Sequence, residues 1–218
     1  PLLMLAQALE EAKPGDKLLV VGFGQGCDAL LFEATEALAG YKTGAGVAQA
    51  LARKREEGNY NKFLAFNDLV TQEKGMRAET DNQTALTALY RKRDMLTALI
   101  GGRCSQCGTA QFPKTRVCVN PECNAMNSQQ DHPFADQPCK VITWSADYLT
   151  YSVDPPTHYG LVQFEAGGRF LANFTDVDVG KVDTGMDMRM VFRIKEFDNQ
   201  RGFRKYFWKA APSETQAG

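Results

Sequence analysis

Cys104-Ser-Gln-Cys107-Gly108-Thr-Ala-Gln-Phe112-Pro113-Lys114-Thr-Arg116-Val-Cys118-Val-Asn-Pro-Glu-Cys123 holds four of the chain's six cysteines in two close pairs. Two residues between thiolates let one tight turn present both sulfurs to a tetrahedral ion, and Gly108 supplies the positive φ that such a knuckle needs. The second pair is spaced by four, still within ligand range. The spacing favours a four-thiolate zinc site at Cys104, Cys107, Cys118 and Cys123 over a disulfide pair or four free thiols. With all four ligands from protein no position remains for a reactive water, so such a zinc is structural.

Downstream, the pattern turns β-like, with strands expected at Val141–Tyr151, Tyr159–Glu165, Arg169–Phe174, Met186–Glu196 and Phe203–Trp208. Pro-Pro, Gly-Gly and Asp-rich turns separate them. Five short strands predict a small closed barrel of the OB type. Its aromatics, among them Trp144, Tyr148, Phe192, Tyr206 and Trp208, fit either a base-stacking platform or core filling.

Upstream, Leu2, Leu3, Leu5, Ala6, Leu9 and Ala12 recur at helical spacing before the Pro14-Gly15 turn, and Lys17–Val21 reads as a strand. The glycine loop Gly22-Phe23-Gly24-Gln25-Gly26 follows. It departs from the dinucleotide fingerprint, because its third glycine comes one place early and Ala39–Ala45 is not a strand end. What it predicts is a backbone that approaches a ligand or another strand closely. Cys27–Thr35 is strand or helix by periodicity. Helices are expected over Val47–Glu57, Asn61–Leu69 and Thr84–Leu99, with 75–82 as a linker and a boundary at Gly101-Gly102.

The whole chain has 218 residues, 25 basic against 26 acidic, a net charge of −1 and 44% hydrophobic residues. That composition excludes a disordered chain, collagen and a coiled coil. No apolar run reaches the roughly 18–20 residues of a membrane span. Near-neutral charge weighs against nucleic acid. The cysteine usage fits a reducing cytoplasm. Cys27 and Cys139 read as small buried thiols, since a thiolate nucleophile needs a base and only His132 and His158 are present. His158, after Pro155-Pro156, reads as solvated. Arg53-Lys54-Arg55 and Arg91-Lys92-Arg93 read as solvated helix faces, each followed closely by acids. Lys114 and Arg116 project from the cysteine segment, as surface charges or as phosphate contacts.

The cysteine pairs with Phe112-Pro113, continued through Gly160-Leu-Val-Gln-Phe-Glu165, Arg169–Phe174 and Gly185-Met186, resemble the zinc-ribbon plus OB-fold proteins that associate with thiolase-superfamily enzymes. That family's second knuckle more often has a shorter spacing than Cys118-x4-Cys123. Pro14–Phe32 resembles the end of hydroxymethylglutaryl-CoA synthases and related ketoacyl-synthase-III-like enzymes, which makes Cys27–Thr35 a strand. Degradative thiolases carry a second catalytic cysteine where this chain has Val20, so the resemblance is to the synthase branch.

Together these readings predict an α+β protein in several parts. The parts are a terminal α-β-β piece of a thiolase-like fold (1–40), a helical linker (41–100), a rubredoxin-like zinc ribbon (101–139), a five-stranded OB-type barrel (140–211) and a flexible tail (212–218). The resemblance implies a C-terminal segment or subunit of an acyl-CoA condensing enzyme, oligomeric, with its Cys, His and Asn upstream or on a partner chain. Coenzyme A thioester is then the substrate, Gly22–Gly26 borders the active site, and Lys114 and Arg116 reach CoA phosphates. The alternative is a non-catalytic bridging or single-stranded nucleic-acid-binding module.

Overall fold

The computed structural model describes residues 2–41, 46–73, 86–198 and 201–213. The expected linker at 75–82, the start of the third expected helix and residues 214–218 of the expected tail lie outside them. The chain divides into two compact units, Pro1–Gly58 and Asn59–Gly218.

In the first unit the apolar periodicity of the opening residues forms α1 (Leu2–Glu11), which stops ahead of the Pro14-Gly15 turn. Strands β1 (Lys17–Phe23) and β2 (Cys27–Glu33) pair antiparallel in continuous register from Lys17↔Glu33 to Phe23↔Cys27. The second of these is the strand that periodicity left open. A 3-10 turn (Glu36–Gly40) and α2 (Val47–Ala52) follow, the latter ending five residues before the expected Glu57. The Glu10 carboxylate accepts hydrogen bonds from the Val47 and Ala48 N–H groups at 2.5 and 2.9 Å, capping α2 from 37 residues away. A Cβ at Gly46 would stand 2.2 Å from Glu10 Oε1 and would displace the carboxylate from this cap. Within this unit Leu19, Val21, Phe23, Leu30, Leu31 and Phe32 are all exposed.

The second unit opens with α3 (Tyr60–Phe66), its first turn capped by Asn59 Oδ1, which accepts from the Asn61 N–H. The single helix expected over 84–99 is instead two, α4 (Leu86–Arg91) and α5 (Arg93–Thr97), interrupted at Lys92 with φ −122°. Gly101-Gly102, where the composition changes, lies inside strand β3 (Ile100–Cys104). Gly101 is needed for close packing, since a Cβ there would meet Phe134 at 2.4 Å and the Gln111 carbonyl oxygen at 2.6 Å, and one on Gly102 would push aside Gln129 Oε1 at 2.6 Å. Strand β3 sits between β4 (Ala110–Gln111) and β5 (Gln129–Pro133) in a small antiparallel sheet.

Five further strands make the second sheet: β6 (Cys139–Asp147), β7 (Thr157–Phe164), β8 (Arg169–Asn173), β9 (Asp187–Asp198) and β10 (Phe203–Pro212), in the order β10-β9-β6-β7-β8. The two ends of that order meet in a parallel bridge between Phe174 and Ala210, where the Thr175 N–H donates to the Ala210 carbonyl at 2.8 Å. The sheet therefore closes on itself as an OB-type barrel. Inward alternation along β7 buries His158, Gly160, Val162 and Phe164. A Cβ at Gly160 would stand 2.1 Å from the Thr143 carbonyl oxygen, beside the register shift in β6. Val141, Val162, Phe164, Met188 and Ala210 form the barrel core, and Leu99 and Phe134 from outside the barrel complete it. Among the described residues no helix is long and apolar enough to cross a membrane.

Candidate metal centre

Two backbone knuckles bring the cysteines together. In the first, the Gly108 N–H donates to the Cys104 carbonyl and the Cys104 N–H to the Thr109 carbonyl, both at 2.9 Å. In the second, the Cys123 and Asn124 N–H groups both donate to the Asn120 carbonyl at 3.0 Å, and the Cys118 N–H donates to that of Ala125. Each knuckle turns at a left-handed residue directly after its second cysteine: Gly108 with φ +75° and Asn124 with φ +48°. The glycine is legible in the sequence. Asn124 plays the same part, since asparagine tolerates this region better than most side chains.

The four Sγ atoms all lie within 4.8 Å of one another. Cys104 and Cys123 are 3.8 Å apart at sulfur, and Cys107 and Cys118 are 3.5 Å apart. A disulfide would bring a pair to about 2.05 Å. A tetrahedral zinc with Zn–S bonds of about 2.3 Å sets its sulfurs roughly 3.8 Å apart, so the donor set fits the ion in both chemistry and spacing. Cys104 and Cys118 are buried, Cys123 half-buried and Cys107 exposed.

Hydrogen bonds from outside the set tune it. The Thr109 hydroxyl lies 3.2 Å from Cys107 Sγ, and with the Thr109 N–H it pulls that thiol down to about 6. Contact with the Ser128 hydroxyl at 3.2 Å lowers Cys104. Cys118 and Cys123 behave oppositely. The N–H groups of Asn120 and Ala125 favour their thiolates, yet burial and the neighbouring thiols outweigh this, pushing Cys118 up to about 12 and Cys123 upward. Four thiolates this close need a cation between them to ionise together, and zinc bound here would supply that charge and cross-link the knuckles. Cysteine spacing does not point to Thr109 or Ser128, because hydroxyls near a knuckle carry no periodic signal.

The other candidates are dispersed. Lys114 Nζ pairs with Asp131 Oδ1 at 2.6 Å, and Arg116 Nε donates to Asn127 Oδ1 at 3.3 Å, both at the ribbon surface. Gly22, Phe23, Gly24, Gln25 and Gly26 belong to the first unit. Gly22 approaches another strand, pairing with Asp28 of β2, and the Gly24 N–H donates to the Gly26 carbonyl at 2.8 Å; a Cβ at Gly22, Gly24 or Gly26 would meet nothing within 4 Å. Two expectations are corrected. Cys27 is exposed and not buried, because every residue of β2 is exposed and no described element of its own unit packs over the strand. His158 is buried and not solvated, at 5% exposure, because it is the second residue of β7 and shares the inward face with Gly160 and Val162. Cys139 is buried, donates to the Met188 carbonyl at 3.3 Å, and is pushed up to about 12 by burial and the nearby Asp187 charge. Such a thiol is inert. His132 is lowered by burial and Arg103, and its Nε2 lies 2.8 Å from Gln137 Nε2.

Comparison with known proteins follows these two sheets. Residues 98–125 match the family described as "ChsH2, rubredoxin-like zinc ribbon domain", and residues 140–193 match "ChsH2, C-terminal OB-fold domain". A DUF35 domain-containing scaffold protein of Pyrococcus furiosus is 37% identical over 123 residues, covering 52% of this chain and 82% of that protein. Its counterpart in Methanocaldococcus jannaschii is 29% identical over 119 residues, 53% of this chain and 82% of that protein. Among solved structures, a chain of the Ltp2-ChsH2(DUF35) aldolase is similar with a TM-score of 0.44 at 17% identity, covering 62% of this chain and 98% of that one. A DUF35-family protein from Sulfolobus solfataricus gives 0.37 at 17% identity, covering 69% and 98%. Residues 1–97 lie outside both family matches.

Proposed function

Because this chain belongs to the DUF35 family, we propose that its ribbon and barrel are the scaffold of an acyl-CoA-processing assembly and leave the bond-making chemistry to a thiolase-like enzyme. The carrying observation is the closed set of four cysteines. All four sulfurs converge on one position, and an ion held there by four thiolates has no exchangeable site for a catalytic water. The zinc is then structural and holds the ribbon's knuckles in place. Support for a scaffold comes from the relatives in Pyrococcus and Methanocaldococcus, which carry that description.

In this reading 101–139 is the ribbon, 140–211 the barrel, 41–100 a linker, 212–218 a tail, and 1–40 the trailing edge of a condensing domain of the hydroxymethylglutaryl-CoA synthase type. The resemblance of Pro14–Phe32 supports the last assignment, as does a hairpin whose apolar side chains are exposed within its own unit. The reaction is carbon–carbon bond formation: an acyl group held as a thioester on a cysteine supplied upstream or by the partner is attacked by a carbanion. Gly22–Gly26 border that site and offer backbone N–H groups to the acyl oxygen. Lys114 and Arg116 contact the CoA phosphates, Lys114 exchanging Asp131 for phosphate.

The test is to purify the chain with and without the thiolase-like enzyme of the same organism. The complex is expected to form and to turn over acyl-CoA, while this chain alone does not. Turnover by the isolated chain overturns the reading.

A further inference from the structure

Strand β9 pairs with β6 only through Met188 and Asp187, so from Val191 to Lys209 the β9–β10 hairpin runs on as a two-stranded ribbon. Such a ribbon is marginal in water unless one face is covered. Its register sets Phe192 opposite Trp208 and Ile194 opposite Tyr206 on one face. Two residues further in, the same face carries Met190 and Ala210 of the barrel core. The core's apolar surface thus continues past the barrel rim, where Phe192, Ile194 and Tyr206 are 39%, 45% and 50% exposed. The Phe192 ring stacks on Tyr206 at 5.7 Å and 19° and leans on Trp208 at 5.1 Å. On the opposite face Lys195 Nζ stands over the Phe207 ring at 5.7 Å.

Charge identifies what the ladder fits. Between Val191 and Lys209 the sequence has six basic residues and two acidic ones, whereas the whole chain is at −1. A second copy of this arm would face like charge with like. Single-stranded nucleic acid needs ring faces for its bases, and here Phe192 and Tyr206 turn a face toward one another. An apolar protein surface rimmed with carboxylates complements both the ladder and the arm's net basic charge. The OB-fold family match ends at residue 193, so most of this arm lies beyond it.

We propose that the β9–β10 arm is a docking element for an acidic-rimmed apolar surface on a protein partner, and that the thiolase-like enzyme carries this surface; the choice of enzyme rests on the function proposed above. The experiment uses the full zinc-loaded chain against that purified enzyme, by calorimetry at low and high salt. A ladder variant, Ile194→Ser with Tyr206→Ser, is expected to bind about tenfold or more weakly. A charge variant, Arg204→Glu with Lys205→Glu, is expected to lose most of the salt dependence. Zinc content and melting temperature report whether each variant is folded. Hydrogen exchange on the unmodified chain gives a second readout: amides of 191–198 and 201–209 are expected to slow when the enzyme is added. Wild-type binding without that slowing, or with an unaffected ladder variant, overturns the arm and leaves the scaffold reading standing. No binding by the wild type overturns both. Ladder-dependent binding of a fluorescent single-stranded oligonucleotide in place of the enzyme overturns the protein partner.

Discussion

The Phe134 ring, just beyond the last ribbon strand, packs 4.8 Å from that of Phe164 in the barrel wall, and both side chains are fully buried. Phe112, between the cysteine pairs, meets Phe134 edge-on at 5.8 Å and Phe170 at 5.3 Å. Ribbon and barrel therefore share one aromatic core. Phe134→Ala is expected to cost about 3–5 kcal/mol. The loss should appear by calorimetry as a lower-melting barrel, because Phe134 belongs to the barrel's cluster, while the ligand cysteines Cys104, Cys118 and Cys123 sit in a cluster of their own. An unchanged barrel transition would contradict this.

Metal removal is the complementary perturbation. Cys118→Ser, or a strong chelator, is expected to unfold the two knuckles while leaving most barrel amides protected in hydrogen exchange, because Val141, Val162 and Met188 belong to a different buried cluster from the ligand cysteines Cys104, Cys118 and Cys123. Elemental analysis should find one zinc per chain in the wild type and little in the variant.

Thiol reactivity should sort the cysteines by environment. Exposed Cys27 is expected to react with a disulfide reagent within seconds to minutes. Cys139, buried and pushed up to about 12, should stay silent until the chain unfolds. With zinc bound the ribbon thiols are protected, so titration of the native protein should count one fast thiol and chelation should release four more.

Gly160→Ala tests the barrel wall. The new Cβ would stand 2.1 Å from the Thr143 carbonyl oxygen and 2.9 Å from Phe174, backbone on one side and core on the other. Overpacking of this kind costs on the order of 1–3 kcal/mol. The drop in melting temperature should exceed that of an Ala substitution at Gly180, where a Cβ meets nothing within 4 Å although its φ is +77°.

Acid should loosen one loop first. Asp147 accepts from the Thr150 hydroxyl and from the Leu149 and Thr150 N–H groups, and those bonds, the hydroxyl foremost, hold its carboxyl below the ordinary value. The folded state thus binds this proton less readily than the unfolded chain. Its contribution is present above the unfolded value, near 3.9, and is lost as pH falls through the lower folded one. An NMR titration of Asp147 should give a low midpoint, and Thr150→Val should raise it.

The strands of the second unit were legible because alternation and turn residues carried them, and the knuckles were legible because metal geometry constrains spacing. The Pro155-Pro156 turn makes His158 read as loop, while the burial period of β7 puts it in register with Val162. Cys27 reads as buried because it opens an apolar strand, although every residue of that strand is exposed. The break at Lys92 and the reach of Glu10 to α2 left no trace: the first has no Gly or Pro, and the second joins residues 37 positions apart.

The parallel bridge at Phe174 and Ala210 has a mechanical side. Every other seam of the barrel runs along at least two residue pairs, whereas this one is a single bridge. Like a barrel with one loose stave, the domain should part there first under load. A chain stretched between handles at Arg169 and Pro212 would peel β10 from β8 at low force, before the long pairings of β6 with β7 and β9 with β10 begin to shear.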